Sequence, residues 1–130
     1  MQETMRPDPL SPAQARLLRR LRDTLEPVAV EGLSLEVLTG LLTIALEPGV
    51  SVNELADRLH TPQQTASRYA AILLGRYQEP TVASGQPPKW PLVVQEVHAE
   101  DPRRRAMFLT ERGKEFVDVL LSHLSGAGVL

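Results

Sequence analysis

The chain contains no cysteine. That excludes a disulfide framework, a thiolate metal site and any cysteine-based oxidation sensor. Aromatic residues make up only 4% of the 130 residues. Leucine, valine and alanine must therefore fill the core, a composition suited to packed helices. No apolar run approaches the roughly 20 residues that span a bilayer. The opening residues, Met1–Pro9, carry charges and two prolines and lack the apolar segment of a secretory signal. The expected location is the cytoplasm.

Catalytic patterns are missing as well. There is no glycine-rich phosphate loop, no His-Glu-x-x-His pair and no Gly-x-Ser-x-Gly elbow. His60, His98 and His123 are scattered and read as surface or packing residues rather than metal ligands. Glu96, Glu100 and Asp101 lie close together, but acids beside arginines are explained by salt pairing, and acid–base work needs a sheltered cleft. No enzyme activity, metal or cofactor is expected.

There is no basic excess either: the formal net charge is −2. Net charge describes the average surface, however, and the distribution is uneven. Residues 61 to 90 carry Arg68, Arg76 and Lys89 against Glu79, and Arg103–Arg105 is the densest basic run.

The length suits one compact domain. We place it at residues 11–125, between a flexible tail, 1–10, and a flexible end, 126–130. Ser11-Pro12-Ala13-Gln14 is a helix start with a cap, a proline at the first position and a reciprocal capping glutamine. Leu17, Leu18, Leu21 and Leu25 follow at helical spacing, and Pro27 is expected to end this helix, 11–26. A second helix is expected from Leu35 to Leu46, capped by Ser34, with Leu38, Leu41, Leu42 and Ala45 inward; Pro48-Gly49 stops it. Ser51-x-x-Glu54 is a capping box for a short third helix with Leu55, Ala56 and Leu59 inward, and His60 marks its turn. A fourth helix is expected with Thr61 as its cap, Pro62 first and Gln64 third, burying Ala66, Ala70 and Leu73.

Residues 75–91 hold Gly75, Pro80, Gly85, Pro87, Pro88 and Pro91, which predict an irregular connection. Trp90 within it is either a plug against the domain or an anchor for a protein partner. Residues 92–97 and 106–109 read as a β-hairpin turning through Glu100–Arg104. Thr110 caps a last helix, 111–124, with Phe116, Val117, Leu120, Leu121 and Leu124 inward.

The fold class this order predicts is mainly α with a small β-hairpin, a winged helix-turn-helix. Two short helices joined by a tight turn leave the outer face of the second free to enter a major groove. There Gln63, Gln64, Thr65, Ser67 and Arg68 are the candidate base-reading residues, since amide, hydroxyl and guanidinium groups match base edges. Thr61, Tyr69, Arg76 and the wing arginines Arg103, Arg104 and Arg105 are candidates for the DNA backbone or minor groove. Capped helices and arginine runs also occur as plain surface. Three like charges on one hairpin tip, at this point of the chain, tip the balance to DNA. The alternative is a winged helix used as a protein-interaction module or accessory factor.

From about Leu35 to Leu124 the chain resembles the MarR family of winged-helix transcriptional regulators. The resemblance rests on residues 51–59, on Thr61 through Leu73, and on Asp101-Pro102-Arg103-Arg104 followed by Phe108-Leu109-Thr110-Glu111-Arg112-Gly113. It implies that Asp101 orients a wing arginine, that Arg103 or Arg104 reaches DNA, and that the chain is a homodimeric regulator held by its terminal helices. The long connection 75–91 and the short last helix depart from the family. Scarce aromatics leave its phenolic effector site without an evident lining, so the effector is unknown.

Overall fold

In a computed structural model, residues 6–76, 91–97 and 99–126 are described. They form five helices and one hairpin: α1 (Pro12–Glu31), α2 (Leu35–Leu46), α3 (Val52–Leu59), α4 (Gln63–Leu73), β1 (Val93–Val97), β2 (Arg105–Leu109) and α5 (Glu111–Ser125). The expected connection beyond Arg76, with Trp90, lies outside the described residues, as do most of the two expected flexible ends.

Local capping chemistry explains most helix starts. The Ser11 hydroxyl accepts from the Gln14 N–H, while the Gln14 side chain accepts from the Ser11 N–H. Ser51 and Glu54 make the same reciprocal pair at α3. Ser34 caps α2 by accepting from Val37, and Thr110 caps α5 by accepting from Gly113. Each satisfies donors that a helix start leaves without an internal partner.

Three expectations need correction. Pro27 does not end α1; it lies inside the helix, which runs on to Glu31 and closes at Gly32 in a left-handed conformation. A proline there forfeits one backbone hydrogen bond. The extra turn carries Val28 into the core and brings Glu31 to Arg112, whose guanidinium donates to both carboxylate oxygens at 2.7 and 2.9 Å. Secondly, Thr61 does not cap α4. Its N–H donates to the Ala56 carbonyl at 3.1 Å, so it closes α3 beside His60, which takes a left-handed φ of 53°. Pro62 is the cap residue instead, its carbonyl accepting from Thr65 and Ala66, and no side chain caps the helix. Thirdly, α2 turns Val37, Leu38, Leu41 and Ile44 inward, while Leu42 is exposed and Ala45 only half-buried. The buried stripe follows i, i+4, i+7 from Val37, one residue away from the expected register.

The core joins α2, α3, α4 and the hairpin. Leu41, Ile44, Leu55, Leu73, Met107, Val37 and Val93 are fully enclosed. Ala66 and Ala70 let α4 sit close beneath its neighbours, as expected. The hairpin is antiparallel, with Val93 opposite Leu109 and Val97 opposite Arg105. Val50 adds a bridge to Met107, and Gly49 donates to the Met107 carbonyl at 2.8 Å, fastening the start of α3 to the wing.

Helices α1 and α5 pack on each other; Thr24 and Val28 of α1 and Phe116 and Leu120 of α5 are buried. One apolar stripe is left over. Leu17, Leu18, Leu21 and Leu25 are 62%, 50%, 47% and 46% exposed, and Val119, Leu121 and Leu124 of α5 are exposed too. Leu121 and Leu124 thus lie on the apolar side of α5 without being covered within one chain.

Candidate nucleic-acid interface

Helix α4 is held by its small, apolar side, so its polar side faces outward. Gln63, Gln64, Ser67 and Arg68 are exposed and Thr65 is half-buried. Gln64, Ser67 and Arg68 stand three and four residues apart, which puts them on one face. Tyr69 packs in part on the core, and the Arg68 guanidinium rests over its ring, 5.7 Å from the centroid.

The wing tip is shaped by Asp101. Its carboxylate accepts from the Arg103 N–H at 3.0 Å, and its carbonyl accepts from the Arg104 N–H at 2.9 Å. This tight turn sends neighbouring arginines in different directions. The Arg103 side chain is 96% exposed, with its Nε 3.9 Å from Asp101, whereas Arg104 turns back and pairs with Glu54 at the start of α3. Arg105 is exposed at the start of β2.

These groups share an open cleft of about 370 Å³ between the first turn of α3, the start of α4 and the wing; it is lined by Ser51–Glu54, Gln63, Gln95 and Arg103–Arg105. Three guanidiniums face one carboxylate there. Glu54 is held below the usual carboxylate range, first by the Ser51 backbone N–H, then by the Ser51 side chain, with the charge of Arg104 adding to both against a desolvation penalty. It stays charged, and paired with Arg104, until the pH falls through that lowered value. One turn further along the same face of α3, Arg58 chelates Glu47, which raises its already high pKa.

The structure thus gathers Gln63 and the three wing arginines around one cleft and sets Gln64, Ser67 and Arg68 beside it. Thr61 sits in the α3–α4 turn, half-buried. Arg76 is not part of the group: it follows α4, whose 11 residues separate it from Gln63 by about 16 Å of helix. Two participants escaped the sequence reading. Glu54 was recognised as a cap and not as a partner of the wing, and Val50 carried no strand signal. A single residue between a turn and a helix cap offers no alternation to read. Among the described residues, no group of three or more His, Asp or Glu side chains could hold a metal. Nor is any single helix there long and apolar enough to cross a membrane.

No protein-family model matches the chain, and no curated protein matches its sequence. Solved structures do. The chain is similar to the crystal structure of MarR at 23% identity, over 89% of this chain and 77% of that one, with a TM-score of 0.57. It is also similar to a Staphylococcus aureus MepR–DNA complex at 19% identity, over 88% and 80% of the two chains, with a TM-score of 0.62. A MarR transcriptional regulator from Methanosarcina mazei Go1 matches at 20% identity, over 88% and 73%, with a TM-score of 0.59. The fold is that of the MarR-like winged helices.

Proposed function

We propose that the chain is a sequence-specific, double-stranded-DNA-binding transcriptional regulator, a homodimer on an inverted repeat, acting as a repressor by occupying its site. The observation that carries this reading is the outward polar face of α4 beside an arginine-tipped wing, across an open cleft. Its likeness to MepR, whose structure is described with DNA, supports it.

In this reading Gln63, Gln64, Thr65, Ser67 and Arg68 meet base edges. Arg103, whose side chain is 96% exposed beside Asp101, enters the minor groove, where negative potential favours a guanidinium. Arg105, Thr61 and Tyr69 serve the backbone. Helix α4 starts without a side-chain cap, leaving its first N–H groups suited to a phosphate. Arg76 contacts DNA only where the duplex extends past the end of α4. The domain is residues 11–125, and α1 and α5 supply the dimer contact. The site is in the cytoplasm, and the chemistry calls for neither catalysis nor a cofactor.

Two substitutions separate positioning from reading. Arg103→Ala should weaken binding to all duplexes alike and lower the magnitude of the salt slope by about 0.9. An unchanged slope in a folded variant would remove Arg103 from the phosphate or groove contact. Arg68→Ala, or Gln64→Ala, should instead erode the preference for the target over random duplex by about 1–3 kcal/mol. Equal losses on both duplexes would take these residues out of base reading. Fluorescence anisotropy over a salt series measures both.

A further inference from the structure

We propose that Glu54 stands in for a DNA phosphate: it holds Arg104 in the free protein, and the wing gains that arginine's contact only by exchanging one anion for the other. The proposal rests on the DNA-binding reading of the cleft.

Three observations carry it. Glu54 Oε1 accepts from two donors at once, the Ser51 N–H at 3.0 Å and Arg104 Nη2. It is also the one carboxylate among the described residues lining the cleft. Finally, both partners are half-exposed, each side chain at 39%. A pair so open to water gains little from its mutual attraction and can be exchanged cheaply, unlike a buried one.

Releasing Arg104 does not strand the carboxylate. Glu54 keeps the Ser51 hydrogen bond and sits in the first turn of α3, where the positive end of the helix dipole favours an anion. Arg104 does not lose its place either, since its N–H stays bonded to the Asp101 carbonyl at 2.9 Å. Only the long side chain has to swing. The neighbouring Arg103 already points outward, so the tip carries one arginine ready for DNA and one in reserve. The consequence is a wing whose attraction for DNA in general is held down until a backbone phosphate occupies the cleft.

Glu54→Gln isolates this effect, because glutamine also completes a capping box and keeps α3 intact. Four proteins are compared: unmutated, Glu54→Gln, Arg104→Ala and the double variant. The probe is a fluorescein-labelled duplex of random sequence, followed by anisotropy over a salt series, with circular dichroism and thermal midpoints confirming the fold. Glu54→Gln should bind about two- to fivefold tighter at low salt with nearly the same slope, since both proteins finish with Arg104 on a phosphate and differ only in the exposed pair broken to reach it. In the Arg104→Ala background the same change should do nothing.

Weaker binding by a folded Glu54→Gln protein would overturn the proposal and make Glu54 a fixed support for the arginine. Equal tightening with and without Arg104 would also overturn it, since Glu54 would then simply repel phosphate, and so would no change at all. Failure of the unmutated protein to bind any duplex at any salt would overturn the DNA reading and this proposal together; the other outcomes leave that reading standing.

Discussion

Gly113→Ala should destabilise the protein by about 2–4 kcal/mol, lowering the thermal midpoint by about 10 °C. Helix propensity alone predicts the opposite, since alanine in place of a helical glycine favours the helix by about 1 kcal/mol. The decisive term is a close approach. Gly113 is buried in the first turn of α5, where the chain leaves the wing and passes under the start of β1. A β-carbon on it would overlap the Leu92 carbonyl oxygen outright and come within 3.0 Å of the carbonyl carbon. That carbonyl cannot move aside freely, because it accepts from the Thr110 N–H at 3.0 Å. The neighbouring Leu92 N–H is bonded to Leu73 at the end of α4, also at 3.0 Å, and the Thr110 hydroxyl donates to the Pro91 carbonyl at 2.8 Å. Helix α5, the base of the wing and α4 are therefore locked at one point that only glycine fits. Calorimetry or a denaturant titration gives the sign directly. A neutral or stabilising substitution would mean that α5 and β1 do not meet as described.

A second large effect is expected on α1. Leu21→Glu should convert the proposed homodimer to a monomer and reduce affinity for a two-half-site duplex by about 10²–10⁴, the advantage that linking two reading heads provides. Within one chain Leu21 is 47% exposed, so a charge there costs the folded monomer little. Opposite a second copy it would be buried against the leucines of a partner face, where an unpaired carboxylate is strongly unfavourable. Sedimentation velocity on both proteins measures the change, and a thermal midpoint close to the parent's shows that the subunit itself survives. An unmutated protein that sediments as one chain, or a variant that stays dimeric, would remove the α1–α5 face from the interface.

What could be read ahead of the fold was mostly short in range. The starts of α1, α2, α3 and α5 were legible because each cap and its partner lie within three residues, and the hairpin because its two strands flank a turn. The same local logic failed at Thr61, which has every attribute of a cap but stands one residue too early: it belongs to the turn that closes α3, and the first helical residue of α4 is Gln63, after Pro62. It failed at Pro27, where burial of Val28 and the Glu31–Arg112 pair outweigh the broken backbone bond. Neither competitor is visible locally: Arg112 is 81 residues from Glu31.

The candidate site divides in the same way. The outward residues of α4 follow from helical periodicity once Ala66, Ala70 and Leu73 are placed inward, so Gln64, Ser67 and Arg68 were legible as a face. The arginine run was legible as a wing tip. Which arginine projects outward was not, because Arg104 finds its partner 50 residues away, in a glutamate whose local pattern shows only a cap. The glycine of the Leu-Thr-x-x-Gly stretch was legible as a pattern, and only the packed structure supplies its reason in the Leu92 carbonyl.

Two such winged helices are expected to read a symmetric DNA sequence, which selection from a pool of random duplexes over a salt series would reveal. The expected result is enrichment of an inverted repeat, with binding that weakens steeply as salt rises. Recovery of no sequence above background, with all duplexes bound alike or none bound, would contradict it.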